Sequence, residues 1–266
     1  MPPEEKPVQL RAGMIRESAM AERRELARLR LFDLRDPESP GGRDPRRIVA
    51  DLVARGAAQW PERRQPADHD HLVLAEDAAN DRPLALLSAD TCVVGGITCL
   101  ILDTAYIAPG GRGRQLFRRL VATALLAAAR IGPVPRAIAM RSYHPRAFRA
   151  LRGLARRLDR RVSGVVLYPA LQDGVVPLHA AALARGVARH LSPHARLEPT
   201  SGVLAAAALW HGMAGAPRLV ANDPAIDAVF ARRLGAHDML MGLIDLRAPA
   251  EEAILDAARR LRRQRG

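Results

Sequence analysis

Lysine is almost missing from this chain: among 41 basic residues Lys6 is the only one, and the remaining positive charge is arginine. Aromatics amount to 3% of the sequence, so the core has to be built from Leu, Val and Ala rather than from stacked rings. Two cysteines, Cys92 and Cys99, are too few for a disulfide framework and match no metal spacing, which leaves them as reduced core residues. No apolar run approaches the roughly 20 residues that a membrane-spanning helix needs. The opening Met-Pro-Pro-Glu-Glu-Lys has neither the basic nor the apolar segment of an export signal, so the expected location is the cytoplasm. There is no internal repeat and no low-complexity tract.

The 266 residues suffice for one large domain with an ample core, at 48% hydrophobic content. A net charge of +13 invites a nucleic-acid partner, because clustered cations release counterions from a phosphate backbone. These arginines are instead spread along several helices, with no basic tail and no interleaved aromatics, which argues against that class. A local basic face for the phosphates of a nucleotide-like cofactor accounts for them better.

The stretch that organises the chain runs from Tyr106 to Ala129. Ile97 to Ile107 is apolar and rich in β-branched residues, the mark of a buried strand. A helix follows with Leu116, Leu120, Ala124 and Ala127 on one stripe. The join between them is Pro109-Gly110-Gly111-Arg112-Gly113. A strand that breaks at a proline and enters a helix through three glycines offers backbone N–H groups at the positive end of a helix dipole, which is a phosphate seat.

These residues resemble the acyl-CoA-binding signature of the GNAT superfamily of N-acetyltransferases, in which a strand and a proline lead through Arg/Gln-x-x-Gly-x-Gly/Ala into a helix. Pro109, Arg112, Gly113, Leu116 and Leu120 fit; Gly110 stands where Arg or Gln is usual, and Gln115 where a small residue is usual. Farther on, Arg141 to Leu151 looks like the second block of that family, with His144 at the Asn position, Ala147 at the Ala position and Leu151 at the Tyr position. The likeness spans residues 71 to 158. It implies an α/β fold with a GNAT-like mixed, mostly antiparallel central sheet flanked by helices, with extra C-terminal helices. A single domain over 1–266 is expected, its core at 7–158, completed by 200–263, with 160–200 inserted on the acceptor side.

Around these blocks the pattern predicts a first strand at Val8 to Arg11 and helices over Glu17 to Asp36 and Pro45 to Ala57. Strands are expected at His71 to Ala75, Pro83 to Leu87 with an extension to Val94, Arg136 to Met140, Val162 to Tyr168 and Met239 to Leu246. Helices are expected at Leu178 to Leu191, at Asn222 to Leu234 and from Pro249 onward, and Val203 to Trp210 suits either state. His69 and His71 fall on one strand face without a third ligand, so no metal is expected.

The resemblance further implies a pantetheine arm between the strand ending at Ala108 and the one starting at Arg136. Cofactor-binding positions are Ile107, Ala108, Gly110, Gly111, Arg112, Gly113, Arg114 and Gln115. The cosubstrate is acetyl-CoA or another acyl-CoA, and the acceptor is a small-molecule amine that attacks the thioester directly. A main-chain N–H near Tyr106 or Ile107 is the oxyanion donor. Candidates for proton transfer are Asp103, whose burial in an apolar strand favours a base, and Tyr106, Tyr143 and His144 near the opening. Two other classes stay open: a GNAT-shaped protein of altered chemistry, taking its acyl group from an acyl carrier protein or lacking transfer, and a basic nucleic-acid-binding module. A homodimer is also left open. Surplus arginines between Arg141 and Arg157 suit a negatively charged acceptor or carrier.

Overall fold

The computed structural model describes residues 27–33, 47, 69–80, 82–170, 175–210 and 220–263. Strand β1 (Arg28–Asp33) pairs antiparallel with β2 (His71–Glu76), which pairs with β3 (Pro83–Val94), which pairs with β4 (Ile97–Ile107). Gly95 and Gly96, both at positive φ, form the two-residue β3–β4 hairpin that the sequence announces. β4 then lies parallel to β5 (Ala137–Ser142), and β5 pairs antiparallel with β9 (Met239–Asp245). Short strands β6 (Val166–Tyr168), β7 (Arg196–Leu197) and β8 (Val203–Ala205) complete a nine-stranded sheet. Among the described residues β4–β5 is the one parallel pair, so the sheet is mixed and mostly antiparallel, as expected.

Helix α1 (Leu116–Ile131) and helix α2 (Pro145–Asp159) pack on one face of the sheet, together with α5 (Pro224–Arg233) and α6 (Glu251–Arg263). Helix α3 (Leu178–Leu191) and the short α4 (Ala207–Trp210) cover the β5 and β9 part of the other face. The continuous burial of α1 from Leu120 to Ala128 explains its Ala-rich sequence: small side chains let it sit close against the strands. Leu100, Leu102 and Ile138 point to this α1 face, while Cys99, Ile101, Ala137 and Ala139 point to the α3 face.

Two expectations are corrected and one open alternative is decided. Residues 28–33 are a strand, not the end of a helix: Leu29 and Leu31 pack on the α1 core while Arg28 and Arg30 alternate with them, a period of two that a helical reading overrides. Arg30 Nε reaches the buried Glu76 carboxylate at 2.6 Å, which fixes the register. The strand expected over Val162 to Tyr168 is confined to Val166–Tyr168, because only these residues find a ladder on β9. The ambiguous stretch from Val203 takes both states, β8 followed by α4. Val8 to Arg11, Glu17 to Arg24 and nearly all of Pro45 to Ala57 lie outside the described residues.

Candidate functional site

β4 and β5 pair over three positions only, Cys99↔Ala137, Leu100↔Ile138 and Ile101↔Ala139. Both strands run on, β4 along β3 to Ile107 and β5 along β9 to Ser142, but no longer against each other. The cause is local. On the β3 side Ser88 pairs with Thr104 and Ala89 with Leu102, so Asp103 is the extra residue of a β-bulge placed two residues past the last rung to β5. A bulge bends and twists its strand, and here it turns β4 away from β5 to open a wedge.

The wedge leads to the strand-to-helix turn. The Ala108 N–H donates to Leu84 O at 2.8 Å, on the β3 side. Alternation along the strand therefore aims the preceding Ile107 N–H the other way, into the gap. Pro109–Gly111 makes one 3-10 turn, in which the Gly111 N–H donates to Ala108 O at 2.9 Å. A Cβ at Gly111 would lie 2.9 Å from Leu116 Cδ1 and 3.0 Å from Leu84 O, so glycine is what lets this turn sit on the sheet edge. Gly113 and Gln115 take left-handed φ of 78° and 57°, and the chain then enters α1.

Of the amides expected to face a phosphate at Gly111 to Arg114, not all are available. The Ala108 and Gly111 amides are spent within the turn, and the Arg114 amide leans on Gly111 O at 3.4 Å. Among the described residues the amides of Gly110, Arg112, Gly113, Gln115, Leu116, Phe117 and Arg118 donate to no backbone acceptor, so the available donors flank Gly111 and continue into the first turn of α1. Gly110 and Arg112 are exposed, and the Arg114 guanidinium lies 3.8 Å from the Asp77 carboxylate.

A cleft of about 460 Å³ opens at this helix end. Ile107, Gly111, Gly113 and Gln115 line it, and so do residues that the sequence pattern did not single out: Arg118 from α1, Arg146, Arg149 and Gly153 from α2, and Ala221 and Asn222 from the loop before α5. Gln115 borders the cleft as one of its walls. Arg146 donates to Val220 O at 2.8 Å and Arg149 to Ala221 O at 2.6 Å, bonds to neutral carbonyls that fasten the loop. Arg152 next to them is neutralised by Asp223 at 2.9 Å, and Asp223 also caps α5 by accepting the Ile226 N–H. Among the described residues Arg118, Arg146 and Arg149 have no carboxylate partner. Among the described residues, three guanidiniums without a carboxylate partner thus lie beside helix-end amides without a backbone acceptor, an arrangement of the kind that suits an anion.

The proton-transfer candidates do not share one place. Asp103 and Arg141 sit at equivalent positions beyond the last β4–β5 rung, on the face opposite α1, and the Arg141 Nη2–H donates to Asp103 Oδ1 across the wedge at 2.7 Å. Asp103 is therefore a paired carboxylate, not the isolated apolar-strand acid expected from burial alone. His69, in the bend before β2, is 3% exposed. Its Nδ1 lies 2.9 Å from Asp90 Oδ2 and its Nε2 lies 3.2 Å from Asp103 Oδ2, the latter off hydrogen-bond alignment. An imidazole facing a carboxylate with each nitrogen is an imidazolium. Burial opposes that charge, but Asp103 and then Asp90 outweigh burial and push His69 up to about 9.

By register Tyr106 shares the Asp103 side of the sheet, half-buried. Tyr143 is buried against α3-side residues, and its hydroxyl donates to Ala236 O at 3.5 Å. His144 is the N-cap position of α2, edge-on to the Tyr143 ring at 5.3 Å between centroids. Leu151, at the position where the second block carries Tyr, is fully buried in the α1-side core. His71 points away from His69, toward Thr91 Oγ1 at 3.4 Å. Among the described residues no three His, Cys, Asp or Glu side chains lie close enough to hold a metal, and no helix is long and apolar enough to cross a membrane. The α2 arginines carry a sequence signal in the surplus of arginine after Arg141, and Arg118 in its place in the first turn of α1; the His69 partnership joins residues 34 apart and leaves no local trace.

No protein-family model and no curated protein matches the chain by sequence. Among solved structures the chain is similar to NAA60 of Arabidopsis thaliana in complex with a bisubstrate analogue, at 13% identity and a TM-score of 0.35, over 48% of this chain and 83% of that one. It is also similar to a GCN5-related glucosamine N-acetyltransferase region of a fungal multi-domain β-N-acetylglucosaminidase, at 18% identity and 0.33, over 60% of this chain and 20% of that one. Malonyl-CoA decarboxylase from Cupriavidus metallidurans matches at 16% identity and 0.36, over 96% of this chain and 73% of that one. At TM-scores below 0.5 these likenesses carry no argument about activity. The mixed, mostly antiparallel sheet flanked by helices is consistent with a GNAT-like fold.

Proposed function

We propose that the chain is an acyl-CoA-dependent N-acyltransferase that moves an acetyl or other short acyl group to the amine of a small molecule. The observation that carries this is the wedge between β4 and β5 together with a helix end whose amides have no backbone acceptor, and a cleft whose three arginines have no carboxylate partner, among the described residues. A diphosphate suits the amides from Arg112 to Arg118 with Arg118, Arg146 and Arg149 around it. An extended pantetheine suits the exposed strand edge of β4, and the Ile107 N–H suits the oxygen of a thioester carbonyl as it becomes an oxyanion.

In this reaction the C–N bond forms as the C–S bond breaks. The acceptor ammonium sheds one proton before attack and the nitrogen sheds a second during it; one ends on the thiol of CoA and the other leaves to water. Asp103 and Tyr106 lie on the β4 edge beyond its last rung to β5, which supports them over Tyr143 and His144 for proton handling. Leu151 is buried in the core and has no proton to give to the thiolate.

The exposed arginines at the cleft mouth also favour a second source of the thioester, an acyl carrier protein with an acidic surface. The test is release of thiol from acetyl-CoA on adding amines, followed with a thiol reagent, alongside thermal-shift titration with CoA. Stabilisation by about 2.7 kcal/mol at a hundredfold excess over the dissociation constant is expected for a specific site. Thiol release with free acyl-CoA supports the first source; stabilisation by neither CoA nor an acyl carrier protein refutes the transferase.

A further inference from the structure

The charged pair at the wedge has capacity left over. Arg141 is 8% exposed, yet among the described residues it donates one hydrogen bond, from Nη2 to Asp103. A guanidinium carries five N–H groups in a planar fork, so four of them have no partner there. Asp103, also 8% exposed, is held from its second oxygen by His69, and His69 is tied in turn to Asp90, whose other oxygen accepts the Asp70 N–H at 2.9 Å. Asp103 thus keeps its position if Arg141 swings away. The pair bridges the mouth of the wedge on the face opposite α1, and so opposite the helix end that suits the diphosphate.

We infer that Asp103 and Arg141 form a recognition site for a zwitterionic acceptor, a molecule whose reacting amine stands next to a carboxylate, as in an α-amino acid. The inference rests on the transferase reading for its reaction but not for its binding. The acceptor carboxylate takes the fork of Arg141 in a bidentate pair and the ammonium takes Asp103, so one ion pair is exchanged for two of the same kind and no charge is left buried alone. An amine without the carboxylate would strand Arg141 in the wedge with its bond to Asp103 lost, which is how the site discriminates. The amine arrives beside the gap into which the Ile107 N–H points.

Binding and turnover separate the outcomes. Amino acids and the matching decarboxylated amines, leucine against isoamylamine for one pair, are titrated by thermal shift without donor and then assayed for thiol release from acetyl-CoA. Stabilisation by an amino acid and not by its amine is expected, with kcat/KM higher for the amino acid by roughly 100-fold. Arg141→Gln should bring the two within about tenfold of each other while the affinity for CoA stays unchanged; Arg141→Lys, which keeps the charge and the fold, should keep the preference at reduced affinity. Equal response to both ligands, or a preference that survives Arg141→Gln, overturns the assignment even if CoA binds. Failure of CoA to bind while an amino acid does would overturn the transferase reading and leave the zwitterion site standing.

Discussion

Removing the charge at His69 should weaken the fold by an amount that depends on pH in a defined direction. The imidazolium faces Asp103 and Asp90 directly, with Asp70 and Arg141 one contact farther out. Folding raises its pKa from 6.5 to about 9, which at about 1.4 kcal/mol per tenfold change in proton affinity amounts to about 3 kcal/mol. Because the folded value is the higher one, that stability is fully present below pH 6.5, about half remains midway between the two values, and none remains above 9. Urea unfolding of the wild type and of His69→Gln between pH 6 and 10 isolates the contribution, since other titrating groups cancel in the difference. The gap between the two proteins should shrink by about 3 kcal/mol from the acid to the alkaline end. A gap that stays constant, or widens with pH, would show that His69 is neutral in the native state and that the two carboxylates are not holding a cation.

Packing and capping give two further outcomes. A Cβ on Gly242 would lie 2.5 Å from Leu151 Cδ2 and 3.2 Å from Phe148, so Gly242→Ala should lower the urea midpoint, by about 1 to 3 kcal/mol in stability. Asp223→Ala removes the cap of α5 and the partner of Arg152; a loss of about 1 kcal/mol is expected, and calorimetry should also find tighter CoA binding as a fourth guanidinium is freed near the cleft.

Local signals carried the hairpin, the strand before the glycine turn and the helix after it, because each depends on neighbouring residues: Gly95-Gly96 for the hairpin, Pro109 to Gly113 for the turn, and the apolar stripe from Leu116 for α1. β1 was illegible for a physical reason. Arg-Leu-Arg-Leu suits either period over so short a span, and it is pairing with β2 and the Arg30–Glu76 contact that decide for strand. The bulge at Asp103 was equally hidden, since it exists only as a mismatch between the β3 and β4 registers. At the site, the 3-10 turn consumes the Gly111 N–H, one of the amides that the glycine pattern suggested, because Ala108 O lies within its reach. The arginines of α2 complete the cleft from a helix that begins some thirty residues beyond the turn, a juxtaposition that only the sheet topology creates.

The account turns on an anion site at the start of α1, and CoA affinity measured by calorimetry in wild type and in Arg118→Glu addresses it most directly. Saturable binding by the wild type is expected, weakened at least tenfold by the charge reversal and falling with added salt, with the unfolding midpoint of the free protein unchanged. Wild-type protein that binds no CoA, or a variant that binds it equally well, would contradict the central claim.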